Sequence, residues 1–276
     1  MNYQKKRITE SEIFLKDISP FKKSPKLAIV SYYNPSFLNG FDILKKIDYT
    51  QIPPEFENSA PAADGEFIFA KLKNSKKELF ILNGRFYFYN GYSMRDAVHP
   101  IYVLKHLGVE TIIFIDEAGY LNPRFTKGGV SFIYDHINLM GDNPLIGENE
   151  SSLGLRFPDM SNAYDEELYK KIEKIFIENK FKFYPSVYLG ITGPETETEA
   201  ECRFYREIGA DILGYGLVPE NLTAVHSNIK SVAFGMLSRE LVADRLKEID
   251  PDEQKKNRIT AEKYFGTILR EIINAI

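Results

Sequence analysis

"TIIFIDEAGYLNP", residues 111 to 123, is the stretch on which the fold turns. Its continuous apolar run is too short for a helix and ends in turn residues, which fits a strand of a parallel sheet buried on both faces. Two acids, Asp116 and Glu117, stand at its far end before Ala118 and Gly119.

Just upstream, SMRDAVHPIYVLKHLG (93–108) places Met94, Val98, Ile101, Leu104 and Leu107 at helical spacing and stops at Gly108, with Pro100 bending or delaying the start. Further out, KLAIVSYY (26–33), EFIFAKL (66–72) and ELFILNG (78–84) read as strands, the last two joined by the polar turn KNSKK. The Pro-rich, polar stretch IPPEFENSAPAADG (52–65) reads as a loop rather than a domain linker.

Downstream, GVSFIYDHINL (129–139) is a strand and YDEELYKKIEKIFIEN (164–179) a helix with Leu168, Tyr169, Ile172, Ile175 and Phe176 on one face. The strand FYPSVYLGI (183–191) follows, then a helix from near Thr196 to Gly209, the strand ADILGY (210–215), a helix near 219–228 and the strand KSVAFGML (230–237). A last helix, TAEKYFGTILREIINAI, closes the chain. This alternation predicts one α/β domain over residues 1–276, a mixed, largely parallel β-sheet flanked by helices.

Composition fits one such domain: 276 residues, 43% hydrophobic, 27% charged. A net charge of -4 offers no basic field for nucleic acid, so a small-molecule partner is expected. No apolar run approaches a membrane span, the single Cys202 precludes an internal disulfide, and the N-terminus lacks the apolar core of a signal peptide; a cytoplasmic protein is expected. Neither HxxxH nor CxxC spacing occurs, so no metal is expected, and no G-x-S-x-G nucleophile elbow occurs either. His136 and His226 read as structural histidines and Cys202 lies mid-helix.

Ligands of open α/β sheets sit beyond the carboxyl ends of strands, so the residues there carry the functional reading. GRFYFYNGY (84–92) puts Arg85 at such an end, where it either holds an anion or pairs with Asp116 or Glu117. Thr196-Glu197-Thr198-Glu199 reads as a capping box, which would seat Glu197 in a first helical turn with no ligand.

Several of these segments together resemble the trimeric purine nucleoside phosphorylases, which share their fold with methylthioadenosine phosphorylases. They are GRFYFYNGY, HLGVETIIFIDEAGYLNP, DHINLMGDNPLIG, RFPDMSNAYD, GPETETEAECR and GADILGYGLVPE with the following AVH, in the family's order over roughly residues 26 to 245. The resemblance implies a homotrimer that uses phosphate as co-substrate, without metal or organic cofactor, to split a purine ribonucleoside into free base and ribose 1-phosphate. It places Arg85 and Ala118 at phosphate, Tyr89 at ribose, and Glu197, Tyr215 and Arg239 at the base.

The chain departs from the family at several of these places. The glycine-rich phosphate loop is replaced by SYYNPSFLNG, where Pro35 has no N–H to donate and Tyr32 and Tyr33 are bulky. Tyr87 replaces a histidine, Gly216 falls near a serine, Thr196 replaces an aromatic, Tyr215 a methionine and Arg239 an asparagine. Asp116-Glu117 stands where the family has neutral residues, and an ionised Glu117 about 5 Å from Arg85 would offset roughly 3 kcal/mol of its attraction for phosphate. Because one position gained an acid and another a base, a Glu117–Arg239 pocket pair is expected. Two functional readings follow: a phosphorylase with a rebuilt pocket, or a non-catalytic or altered-ligand relative.

Overall fold

The apolar runs become strands and the amphipathic segments helices in the computed structural model, which describes residues 3–54 and 65–276. Most of the loop expected over 52–65 lies outside the described residues. In chain order the elements are α1 (Tyr3–Asp17), β1 (Leu27–Ser31), β2 (Phe41–Asp48), β3 (Glu66–Leu72), β4 (Glu78–Asn83), α2 (Met94–Ala97), α3 (His99–His106), β5 (Thr111–Tyr120) and β6 (Val130–Leu139). They continue with α4 (Glu166–Glu178), β7 (Tyr184–Ile191), α5 (Glu199–Glu207), β8 (Ile212–Gly214), α6 (Leu217–His226), β9 (Lys230–Glu240) and α7 (Pro251–Ala275).

Pro100 acts as expected: the helix halts after Ala97, and α3 restarts with the proline in its first turn, where a missing N–H costs nothing. Two elements carry no clear sequence signal. α1 buries only Ile8, Ser11 and Leu15, and β2 is an edge strand whose Ile43, Leu44 and Lys45 are left outside the core.

The sheet runs β2-β3-β4-β1-β5-β8-β7-β6-β9 among the described residues, and β9 pairs back onto β5. β5 is the pivot. Along its length it lies parallel to β1 and β9, and at its end Gly119 and Tyr120 pair antiparallel with β8. Five strands therefore close on themselves while β2, β3, β4 and β1 extend as a wing. The bend falls where the β5–β9 register shifts between Ala118 and Gly119. Glycine keeps this close approach open, since a Cβ on residue 119 would lie 2.3 Å from Leu241 Cδ1 and force that side chain to shift.

Helices cover both faces. α1, α3 and α6 bury Leu15, Leu104, Leu217 and Val218 against Phe69, Phe80 and Phe114. On the other face α4 brings Ile172 and Phe176, and α7 brings Ala261, Phe265, Ile268, Leu269 and Ile272, onto Phe132 and Phe234. Each of these large side chains stabilises the fold by about 1.5–3 kcal/mol of apolar burial. A smaller cluster, Cys202 of α5 with Leu189, Leu213 and Leu241, packs under the far rim. The strand ends of β4, β5, β8 and β9 thus converge on one edge.

Candidate active site

Arg85 follows β4 through Gly84, whose φ of 117° lets the chain turn while its N–H still bonds to Ser31. The arginine then points inward. Its side chain is 1% exposed, Nε donates to Glu220 Oε2 at 2.9 Å, and Nη1 donates to Asp116 Oδ1 at 2.9 Å and to the Ile115 carbonyl at 3.0 Å. Nη2 reaches the Val30 carbonyl at 3.4 Å. Asp116 also accepts from the Tyr188 hydroxyl at 2.6 Å through its other oxygen. Arg85 is thus paired as a structural arginine would be, with Asp116 and Glu220; Glu117 is not its partner.

Electrostatics follow from this packing. Burial opposes the charge on Arg85, but Glu220 and Asp116 outweigh it and hold the guanidinium firmly protonated. Burial raises both carboxyls, and Glu220 is pushed up to about 7 despite Arg85. Gly216 leaves the room Arg85 needs, because a Cβ there would come within 2.9 Å of Arg85 Cδ.

A second arginine centre lies at the rim. Glu197, with its side chain 1% exposed, accepts from the Tyr215 hydroxyl at 2.9 Å through Oε1. Arg239 Nη2 donates to the same hydroxyl at 3.0 Å, and Arg239 Nη1 lies 3.5 Å from Glu197 Oε2, which has no hydrogen bond among the described residues. The Arg239 guanidinium also sits 5.7 Å from the Tyr215 ring centre. A cavity of about 490 Å³ opens here, lined by Thr196, Glu197, Arg239, Leu241 and the loop to Ile249.

Tyrosines join the two centres. Tyr87 and Tyr89 stack with ring centres 4.8 Å apart, and Tyr89 meets Tyr215 edge-on at 5.9 Å. Ala118 is buried in the β5–β9 ladder opposite Leu237. Of the residues expected from the sequence, Tyr89, Tyr215, Glu197 and Arg239 are brought into mutual contact, while Arg85 and Ala118 lie buried at the ends of β4 and β5.

Two expectations need correction. The Glu117–Arg239 pair does not form: Glu117 accepts from Gln254 at 2.7 Å and from Arg258 at 3.1 Å, while Arg239 turns to Glu197 and Tyr215. Neighbouring residues of a strand face opposite sides, so Asp116 faces Arg85 and Glu117 faces α7. The capping box is real but shifted, with Thr198 as the cap and Glu201 as its reciprocal partner. Glu197 precedes the helix and is turned inward.

The sequence reading did not single out Glu220, Tyr188 or the α7 stripe Gln254, Arg258, Glu262. The stripe matters for the loop after β1: Glu262 accepts from the Tyr32 hydroxyl at 2.8 Å and the Ser36 N–H at 2.7 Å and pairs with Arg258 at 3.3 Å. A carboxylate of the chain itself therefore satisfies two of the loop's donors. His136 bonds Tyr164 and His226 bonds Tyr102 and Asn149, and Cys202 is buried in α5. Among the described residues no cluster of His, Cys, Asp or Glu could hold a metal, and no helix is long and apolar enough to cross a membrane.

Comparison with known proteins agrees with this architecture. Residues 41–274 match the Phosphorylase superfamily. Purine nucleoside phosphorylase 1 of Bacillus subtilis is 37% identical over 89% of this chain and 92% of its own length. Purine nucleoside phosphorylase of Bos taurus is 33% identical over 82% of this chain and 80% of its own. The crystal structure of Schistosoma mansoni purine nucleoside phosphorylase in complex with adenosine superposes with a TM-score of 0.86 at 28% identity, covering 97% of this chain and 96% of that one.

Proposed function

The chain belongs to the phosphorylase superfamily and, within it, to the purine nucleoside phosphorylases; from that premise we propose that it cleaves the N-glycosidic bond of a purine ribonucleoside with inorganic phosphate. A phosphate oxygen bonds to the anomeric carbon, the bond to the purine breaks, and its electron pair leaves with the base. Free base and ribose 1-phosphate result.

The buried Glu197 carboxylate is the observation that carries this reading: Tyr215 occupies one oxygen and the other has only its loose ion pair with Arg239. An ionised carboxylate accepts and cannot donate, so the remaining oxygen suits a purine N–H. Arg239 and Tyr215 flank the base, Tyr89 lies against the ribose, and Arg85 with the Ala118 backbone holds the phosphate. The assembly in this reading is a homotrimer, supported by the exposed apolar side chains Ile146, Leu155 and Phe157 on one loop region.

A second reading is favoured by one observation: Arg85 is already committed to Asp116, Glu220 and two carbonyls. A relative that binds an altered ligand, or turns nothing over, would look like this. The deciding experiment is base release from inosine, guanosine, adenosine and methylthioadenosine, with and without phosphate, beside Glu197→Ala. Phosphate-dependent release, lost in that variant, supports phosphorolysis. No release from any nucleoside favours the second reading.

A further inference from the structure

The ionic group around Arg85 has an odd charge count. Two carboxylates, Asp116 and Glu220, share one guanidinium, and the three side chains are 3%, 8% and 1% exposed. If both acids were ionised, the interior would hold an uncompensated negative charge, which burial strongly disfavours.

Hydrogen bonding says which acid gives way. Asp116 receives a charged donor on one oxygen and the Tyr188 hydroxyl on the other, both short, so its ionised form is well supported. Glu220 receives Arg85 Nε alone among the described residues. The α6 dipole favours its ionised form from the first turn, but that effect is weaker than burial beside a like charge.

We propose that Glu220 holds an exchangeable proton at neutral pH, and that an anion docking at Arg85 is bound more tightly when that proton is in place. The first half stands without a ligand; the second rests on the phosphate site of the phosphorolysis reading. Among the described residues no histidine or lysine competes for the proton. Among the described residues the groups facing the pair are Arg85 from the end of β4, Asp116 from β5, and the phenols of Tyr49, Tyr87 and Tyr188, with Glu117, Tyr89 and Tyr164 behind Asp116. Every one of these phenols is raised by burial and stays neutral. Burial, and then the charge on Asp116, raise Glu220 to about 7, with Arg85 offsetting only part.

Infrared titration of the whole protein tests the first half. The wild type should show the carbonyl band of a protonated carboxyl that fades as pH rises through neutrality. Glu220→Gln should lack that titration. Asp116→Asn should move it down by more than about one pH unit, because the remaining carboxylate and guanidinium then balance. A band that titrates alike in all three proteins overturns the proton site, and the second variant decides should the first not fold.

Sulfate, a dianion that does not itself titrate here, probes the coupling. Its affinity should fall with pH above neutrality, by up to about tenfold per unit, and this slope should vanish in Glu220→Gln. Binding with no slope rejects the coupling. Absence of sulfate binding at every pH rejects the anion site of the phosphorolysis reading and with it the coupling, while the infrared result still decides the proton.

Discussion

Arg85, beyond the end of β4, and Arg239, near the end of β9, are each paired with a buried glutamate, yet they are held in opposite ways. Arg85 has four acceptors within 3.4 Å, which take four of its five N–H donors. Arg239 leans on a phenol at 3.0 Å and a carboxylate at 3.5 Å beside an open cavity. The difference is coordination rather than residue type: a guanidinium with most of its donors taken stabilises the fold and has little left for an anion, and one with loose partners is open to a ligand.

The strongest challenge to that contrast is Arg85→Ala. It leaves two buried carboxylates without their cation and should lower unfolding free energy by about 3–5 kcal/mol in denaturant titration. A loss under about 1 kcal/mol would place Arg85 among the available arginines instead.

Next in size is a pH effect. Glu220 is raised from 4.5 to about 7 in the fold, so its contribution is fully present below about 4.5 and is lost as pH rises through 7. The loss amounts to about 3 kcal/mol as an order of magnitude. Glu220→Gln should flatten this fall in a stability-against-pH series; an unchanged fall assigns it to other groups.

Tyr188→Phe, which strips one donor from Asp116, should cost about 1–3 kcal/mol. At the rim, Arg239→Ala should cost about 1 kcal/mol or less in stability, while raising KM for the nucleoside at least several-fold. Equal stability losses from Arg85→Ala and Arg239→Ala would erase the contrast. The smallest expected change is Thr198→Ala, about 1 kcal/mol from the α5 cap, and nucleoside KM should shift only as far as the inward turn of Glu197 depends on that cap.

Legibility in sequence tracked burial. The run Ile112–Ile115 announced β5 because both faces are covered, and α7 announced itself through Phe265, Ile268, Leu269 and Ile272. β2 was silent because its exposed Ile43 and Leu44 break the alternation, and α1 because its buried face, Ile8, Ser11 and Leu15, has only two apolar members. In the site, positions at strand ends were readable but partners were not. Arg85 and Glu220 are 135 residues apart, and no local pattern joins them. The expectation for Glu117 failed on geometry one residue wide, since strand alternation sends it toward α7 while Asp116 turns inward.

The α7 stripe has a consequence for how the molecule is made. Tyr32 and Glu262 are 230 positions apart, and the same helix supplies Phe265, Ile268 and Ile272 to the face of the sheet it shares with α4. During synthesis the part of that face under α7 waits, uncovered, until residues 251–275 have left the ribosome. A nascent chain stopped before residue 251 lacks the carboxylate for the loop after β1 and uncovers the side of Phe234 that meets Phe265, so it should lean on chaperones more than the chain that carries α7.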